Sequence, residues 1–165
     1  MESWDLALLI IRVWLGIVII AHGVNHGRTL DGTTNWFASM GWQRARTQAI
    51  LSSVAEIAVG IGLIIGLLTP LAAGGLVATM FVAYLTNHRP NGFFIFRPGE
   101  GWEYVATIAF ISLALATLGA GEVSLDAVFG LEGLAGWTGL AIGLGGFVVG
   151  GLQVAAFWRP DQVEA

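Results

Sequence analysis

The chain has 165 residues, of which 56% are hydrophobic and only 11% are charged, and it contains no cysteine. Soluble domains carry about 25% charged residues, so this composition predicts an integral membrane protein. The lack of cysteine excludes disulfide relays, thiolate metal sites and iron–sulfur clusters, and a net charge of −4 with no basic cluster argues against nucleic-acid binding.

Five long apolar stretches predict an all-α fold, a polytopic bundle of transmembrane helices. The predicted spans cover residues 6–24, 48–68, 71–87, 102–120 and 134–158. The first span follows an acidic start, which is not typical of a cleaved signal peptide, so it is expected to remain as a membrane helix. Gly27 suits a helix C-cap just after this span. Trp36, Phe37 and Met40 then share one helical face, which predicts a short interfacial helix over about residues 34–41.

The arginines predict the orientation of the bundle. Six of them fall on one side of the membrane, in two loops and the carboxyl-terminal tail: Arg28, Arg44, Arg46, Arg89, Arg97 and Arg159. The other side holds the N-terminus and the 121–133 loop, without basic residues outside the spans. The positive-inside rule therefore predicts a multi-pass membrane protein with its N-terminus outside and its C-terminus in the cytoplasm.

Two charged residues lie inside predicted spans, Arg12 in the first and Glu56 in the second. A charge at membrane depth costs roughly 2.5–3.5 kcal/mol on insertion scales, so each should face the bundle interior and have a partner. Their depths predict that they can reach each other. The pair is then either a structural ion pair that fixes helix register or the floor of a binding pocket. In the second case Arg12 orients an anion or a quinone carbonyl, and Glu56 accepts a proton.

Other polar and aromatic side chains are expected near Glu56, at the cytoplasmic level of the bundle. These ligand-binding candidates are His22, Tyr84, His88, Trp102 and Glu103, and His26 and Tyr104 lie close to them in the sequence. The histidines either bond helix ends near the headgroups or exchange protons with Glu56, which makes Glu56 and His22 the candidate catalytic groups. Two histidines and two glutamates could also hold a transition metal, but this interpretation is less favoured and no metal site is predicted.

Two segments are candidates for docking a protein partner. The loop between the third and fourth spans carries the aromatic residues Phe93, Phe94 and Phe96. This loop is expected to dip into the membrane interface or to cover the end of the bundle. The fifth span is rich in glycine at three- and four-residue spacing, which favours close helix packing. Its docking candidates are Gly139, Gly143, Gly146 and Gly150.

The order of several short motifs resembles the DoxX family of small bacterial membrane proteins. The motifs are Arg12-x-x-x-Gly16, Ala21-His22-Gly23, Trp36-Phe37-x-Ser39-x-Gly41, Glu56-x-x-x-Gly60, the run from Gly66 to Ala73, Gly92-Phe93-Phe94, Trp102-Glu103-Tyr104 and the run from Gly119 to Asp126. They cover about residues 6–127. The chain departs from the family at His26, where lysine is frequent, and in its fifth span.

The resemblance implies a four-helix membrane bundle over residues 1–127, to which residues 128–165 add a fifth helix and a short tail. The family is named for association with thiosulfate:quinone oxidoreductase, and some relatives are thought to organise redox-stress enzymes at the membrane. The resemblance therefore implies a redox-associated subunit, makes quinone the cofactor to consider, and assigns the family's polar positions to Arg12, His22, Glu56 and Glu103.

Three functions stay open on the sequence alone. The favoured one is an accessory subunit of a membrane redox system, in a hetero-complex, and whether its polar cluster binds quinone stays open. The second is a non-catalytic scaffold in which Arg12 and Glu56 only fix helix register. The third, a small-molecule transporter, is less favoured because neither a pair of broken helices nor an inverted repeat is visible. Whether the protein is an enzyme stays open.

Overall fold

The computed structural model describes residues 2–160 as a bundle of helices. In chain order the α-helices are α1 (Ser3–Arg28), α2 (Leu30–Ser39), α3 (Ala45–Ile65), α4 (Thr69–Ala83), α5 (Glu103–Leu118), α6 (Leu125–Phe129) and α7 (Gly136–Phe157). A π-helical turn (Tyr84–His88) and a 3-10 turn (Arg89–Asn91) extend α4, and a second 3-10 turn (Glu132–Leu134) precedes α7. The predicted all-α membrane bundle is confirmed.

Within residues 2–160, four helices are long and apolar enough to cross a membrane: α1, α3, α4 with its extension to Asn91, and α7. The remaining apolar helix, α5, has 16 residues. At about 1.5 Å per residue it is roughly 24 Å long, somewhat shorter than a hydrocarbon core of about 30 Å. Each of the five predicted apolar segments therefore forms a helix, and one of them is short.

The end of α1 differs from the sequence-based expectation. The helix runs four residues past Val24 and ends at Arg28, so Gly27 lies inside it and Thr29 is the C-cap. The reason is the close approach of α3: a Cβ atom on Gly23 would lie 2.9 Å from the Glu56 Cβ, and one on Gly27 would lie 2.8 Å from the Ser53 Oγ. These glycines serve helix–helix contact and not helix termination.

The core of the bundle is built around α4. This helix packs against α3, α5 and α7, while α1 packs along α3. The α1–α3 crossing is close because Gly16 meets Gly60, where a Cβ on either glycine would lie 2.7 Å from the other's carbonyl oxygen. The largest apolar side chains of the interior that are fully buried are Leu63, Leu76, Val77, Val105 and Leu115.

The glycine-rich face of α7 is covered by the chain itself. Gly139, Gly143, Gly146 and Gly150 are buried, and they face α4 and α5. A Cβ on Gly150 would lie 2.8 Å from the Ala78 carbonyl oxygen, and one on Gly146 would overlap the carbonyl oxygen of Gly74. The expectation that these glycines dock a partner protein is therefore corrected, because small residues bring α7 against its own bundle.

The end of α7 is joined to the connection between α2 and α3. Trp42 and Trp158 form an isolated antiparallel bridge, in which Gln43 N–H donates to the Phe157 carbonyl at 2.8 Å and Arg159 N–H donates to the Gly41 carbonyl at 2.8 Å. Gly41 has a φ of +89°, which favours glycine. This bridge holds the last turn of α7 beside α2, at the end of the bundle that contains His26.

The opposite end of the bundle is closed by buried carboxylates. Asp126 accepts hydrogen bonds from the backbone N–H groups of Leu68 and Thr69 at 2.6 and 2.8 Å, where the chain turns from α3 into α4. Asp5 accepts from the Glu122 N–H at 3.0 Å. These contacts hold the segment before α7 against the start of α1 and the α3–α4 turn.

Candidate functional site

A cavity of about 660 Å³ lies between the helices at the end that contains His26. Its volume falls in the range of small-molecule sites, about 300–1,000 Å³. The carboxyl-terminal parts of α1, α4 and α7 and the amino-terminal parts of α3 and α5 form its walls, and α2 also lines it. Apolar side chains make up much of the wall, including Leu15, Val18, Ile19, Leu76, Met80 and Ile108.

Glu56 and His26 are the central polar pair of this cavity. Glu56 is only 3% exposed, and its Oε2 lies 3.3 Å from His26 Nδ1. Ser52 donates its hydroxyl to the other carboxylate oxygen, Oε1. Among residues 2–160, Glu56 Oε2 and His26 Nδ1 have no hydrogen-bond partner of good geometry. Both atoms are buried against each other, and the two side chains belong to a largely apolar wall of the cavity.

The backbone fixes this pair firmly. His26 lies one turn beyond Gly23 on α1, and Gly23 has no side chain to separate α1 from α3. Ser53 Oγ donates to the Gly23 carbonyl at 2.7 Å. The side chains of His26 and Glu56 therefore project from two helices that cannot separate without breaking a buried hydrogen bond.

A second polar group, formed by Asn87, His88 and Tyr104, lines the α4–α5 side of the cavity. His88 Nδ1 lies 2.9 Å from the Glu100 carbonyl oxygen, and because a carbonyl can only accept, Nδ1 carries the proton. Nε2 of the neutral ring is then an acceptor, with Asn87 Nδ2 at 3.2 Å and the Tyr104 hydroxyl at 3.3 Å. Both contacts are long, so this group can also bond a ligand.

The π-helical turn explains where Asn87 and His88 point. It occupies Tyr84–His88 at the end of α4, and a wider turn shifts the side chains that follow it relative to a regular α-helix. Single π-helical turns are frequent at functional sites. The periodicity of the sequence does not reveal this turn.

An aromatic group covers the Glu56–His26 side of the cavity. Trp36 and Phe37 from α2 and Trp42 from the following turn line the cavity wall. The Trp36 ring lies 6.1 Å from the His26 ring, and the Phe37 and Trp42 rings lie 5.9 Å apart, centre to centre. These rings make a largely apolar cover over a buried polar pair, which lowers the local dielectric and strengthens polar contacts inside.

The structure does not bring Arg12 to Glu56, so the expected ion pair is wrong. Arg12 Nη1 donates to the carbonyls of Leu63 and Ile64 at 3.0 and 2.6 Å, and Nη2 donates to the Val123 carbonyl. The Leu63 and Ile64 carbonyls lie in the last turn of α3, seven and eight residues beyond Glu56, or about 12 Å at 1.5 Å per residue. These carbonyls lack intrahelical partners because α3 ends at Gly66. Arg12 is buried there and joins α1 to α3, outside the cavity.

The other ligand-binding candidates divide into two groups. His22 and His88 line the cavity together with Glu56. Tyr84 and Trp102 do not line it, and their rings instead pack against each other with centres 5.8 Å apart.

Glu103 also lies outside the cavity wall, where its carboxylate accepts a hydrogen bond from the Ile95 N–H at 2.9 Å. It holds the loop between α4 and α5 and does not face the polar pair.

Sequence reasoning missed His26 as the partner of Glu56. The signal was present, since His26 follows His22 by four residues and so shares its helical face. It was obscured by the expectation that α1 ends near Gly27. The rings of His22 and His26 lie 6.4 Å apart, yet within residues 2–160 no three His, Asp or Glu side chains are close enough to hold a metal ion.

The aromatic loop between α4 and α5, residues 92–101, is exposed on the same end of the bundle. Phe96 is 79% exposed, and Phe93 and Phe94 are about half exposed. Backbone hydrogen bonds close the loop, including Glu103 N–H to the Phe93 carbonyl at 2.9 Å. The loop therefore presents its rings outward on a fixed backbone.

Comparisons with known proteins match the sequence of this chain to a family. The family model DoxX matches residues 7–89, which include α1 to α4 and therefore His22, His26, Glu56 and His88. The inner membrane protein YphA of Escherichia coli (strain K12) is 30% identical over 128 residues, which cover 72% of this chain and 87% of that protein. No solved structure gave a significant match.

Proposed function

The chain belongs to the DoxX family of multi-pass membrane proteins, and we propose that it is an accessory subunit of a membrane redox system that binds quinone. The observation that supports this best is the buried pair of Glu56 Oε2 and His26 Nδ1, incompletely bonded within the described part of the chain, in the wall of the 660 Å³ cavity. A quinone head group needs an apolar slot and hydrogen-bond partners that exchange protons.

The residues of the cavity fit such a head group. Apolar side chains accommodate the ring, the Glu56–His26 pair bonds one oxygen, and the Asn87–His88–Tyr104 group offers bonds on the opposite wall. Quinone, when bound, supplies two-electron, two-proton redox chemistry. The chain's own part is to hold the head group, to accept or return protons at Glu56 and His26, and to keep bulk water away with Trp36, Phe37 and Trp42. The electrons are exchanged with a partner protein of the complex.

The proposed orientation follows from the arginines. The cavity lies at the end of the bundle that carries Arg28, Arg44, Arg46, Arg89 and Arg97, so the positive-inside rule assigns it to the cytoplasmic leaflet. With five spans, the N-terminus is then outside and the C-terminus is in the cytoplasm. Protons exchanged by Glu56 and His26 would pass to and from the cytoplasmic side.

A scaffold role is the second candidate, and the aromatic loop favours it. Phe96 is 79% exposed on a fixed backbone, and exposed aromatic residues are typical of protein-docking surfaces. In this alternative the loop binds a protein of the membrane complex and the cavity is not used for redox chemistry. Phe96→Ser would then release the partner in a pull-down from the native host while leaving the bundle folded.

Quinone binding is tested by titrating the purified protein in nanodiscs with a quinone and following tryptophan fluorescence. Trp36 and Trp42 line the cavity, so a bound quinone should quench them. A hydrogen bond to a charged group contributes about 1.5–3 kcal/mol, so Glu56→Gln should weaken binding roughly 10- to 100-fold.

The matched control is Glu103→Gln, the same chemical change at a carboxylate outside the cavity. It should leave the Kd of the quinone unchanged. Quenching of the wild-type protein that does not saturate, or an equal Kd for Glu56→Gln and the wild type, would contradict the proposal.

A further inference from the structure

We infer that the ligand is a lipid-phase amphiphile whose polar ring lies at Glu56 and His26 and whose apolar tail leaves the cavity between α3 and α7 into the bilayer. This inference rests on the proposed function and adds to it the class of quinone, long-tailed and membrane-dissolved, and the route by which it enters.

Part of the cavity lining is apolar, and we call this part the apolar arm. The arm is the part of the cavity bordered by Ala55 and Val59 of α3, Gly75 and Ala78 of α4, and Val149 of α7. All five side chains are apolar and small or absent. An apolar chain can therefore lie in this arm without leaving a polar group unsatisfied.

The arm is open because α3 and α7 are held apart. Both helices pack on α4, but they have little direct contact with each other. They are bridged near the polar end by Gln153 Nε2, which donates to Gln48 Oε1 at 3.0 Å. Gly75 lets α4 approach α3 closely beside the arm, because a Cβ atom there would lie 2.8 Å from Val59 Cγ2.

The mouth of the arm faces lipid. Leu51 on α3 and Val149 on α7 border the cavity and are 53% and 61% exposed, and both belong to membrane-spanning helices. Exposed apolar side chains on such helices contact acyl chains. By contrast, the Glu56–His26 side is covered by Trp36, Phe37 and Trp42. Polar groups at one end and a lipid-facing apolar opening at the other match an amphiphile with one polar ring and one long tail.

The test compares a long-tailed quinone with its tail-free ring in nanodiscs, using the tryptophan titration. Val149→Trp fills the mouth, and Val148→Trp is its matched control, since both valines are 61% exposed but only Val149 borders the cavity. Val149→Trp should weaken the long-tailed quinone at least tenfold and change the tail-free ring by less than threefold. Val148→Trp should change neither.

A second pair of variants, on α3, tests the same prediction in case one variant fails to fold. Ala55 and Ala58 are both exposed on the same helix, and only Ala55 borders the cavity. Ala55→Phe should reproduce the selective loss of the long-tailed quinone, and Ala58→Phe should not. Thermal unfolding of each variant identifies any that is misfolded.

The outcomes separate this inference from the proposed function. If both quinones bind the wild type but Val149→Trp and Ala55→Phe weaken neither, or weaken both equally, the tail does not use the arm and the inference is overturned while quinone binding stands. If neither quinone binds the wild type, the proposed function itself fails.

Discussion

His26 Nδ1 lies 3.3 Å from Glu56 Oε2 across the contact between α1 and α3. The contact depends on Gly23, because a side chain at that position would meet the Glu56 Cβ and push the two helices apart. A membrane helix tolerates an interior carboxylate only with a partner or a polar cavity, and Glu56 has both. The pair therefore gives the buried carboxylate of Glu56 a partner and places both side chains in the cavity wall.

The adjacent serines of α3 should separate binding from stability. Ser52 donates to Glu56 Oε1, whereas Ser53 donates to the Gly23 carbonyl at 2.7 Å. Ser52→Ala should raise the Kd of the quinone about threefold to tenfold, because one bond that orients the carboxylate is lost. Ser53→Ala should lower the free energy of unfolding by about 1 kcal/mol and change the Kd less than Ser52→Ala does, because Gly23 still lets α1 approach α3. Quinone titration and unfolding of each variant check this, and the reverse assignment would contradict it.

Arg12 should contribute to the stability of the fold and not to quinone binding. Arg12→Met removes the donors that three backbone carbonyls share, so it should lower the free energy of unfolding by about 2–4 kcal/mol, since each buried group left unsatisfied costs about 1–3 kcal/mol. The Kd of the quinone should change less than threefold because Arg12 does not line the cavity.

The control is Arg46→Met, which removes an exposed ion pair with Asp31 and should cost less than about 1 kcal/mol. Unfolding in detergent and quinone titration are the measurements. Loss of quinone binding in a stably folded Arg12→Met protein would instead support a role of Arg12 in orienting the ligand.

Neighbouring glycines of α7 should respond in opposite directions. A Cβ on Gly146 would overlap the carbonyl oxygen of Gly74, but Gly145 has no atom within 4 Å of its Cβ position. Gly146→Ala should therefore separate α7 from α4 and lower the unfolding midpoint. Gly145→Ala should keep or raise it, since alanine is favoured over glycine in helices by up to about 1 kcal/mol. Equal effects would mean that α7 does not pack as described.

The proposed orientation is testable directly because the chain has no cysteine. Single cysteines can be placed at Gly133, in the segment between α6 and α7, and at Asn35, on α2. Both positions are exposed. In intact cells a membrane-impermeant maleimide should label Gly133→Cys and not Asn35→Cys. Labelling of Asn35→Cys alone would invert the topology and move the cavity to the outer leaflet.

The helices and the level of the polar residues could be predicted from the sequence. Long apolar runs set the spans, and the predicted depths of His22, Glu56 and His88 along their helices agree with their position in the lining of one cavity. The partner of Glu56 could not be predicted, because the end of α1 depends on glycines that approach α3 and not on a local cap. The hydrogen-bond partners of Arg12 are backbone carbonyls at the end of α3 that have no intrahelical partner. A pattern of side chains in the sequence does not show where such carbonyls lie.

The side chains that line the cavity at the end of α4, and the hydrogen-bond partner of Glu103, could not be predicted either. The π-helical turn at Tyr84–His88 changes which residues face inward, and regular helical spacing cannot anticipate it. Glu103 was expected in the polar cluster because it opens α5, but its carboxylate bonds the Ile95 N–H of the adjacent loop. Local backbone donors of a loop compete effectively for a carboxylate at a helix start.

The most direct test of quinone binding at Glu56 and His26 is native mass spectrometry of the protein released from its own membranes in mild detergent. The account predicts a bound mass equal to a long-tailed quinone on the wild type and on Glu103→Gln, and its loss from Glu56→Gln. A wild-type protein that carries no such mass, or a bound mass that is equally retained by Glu56→Gln, would contradict it.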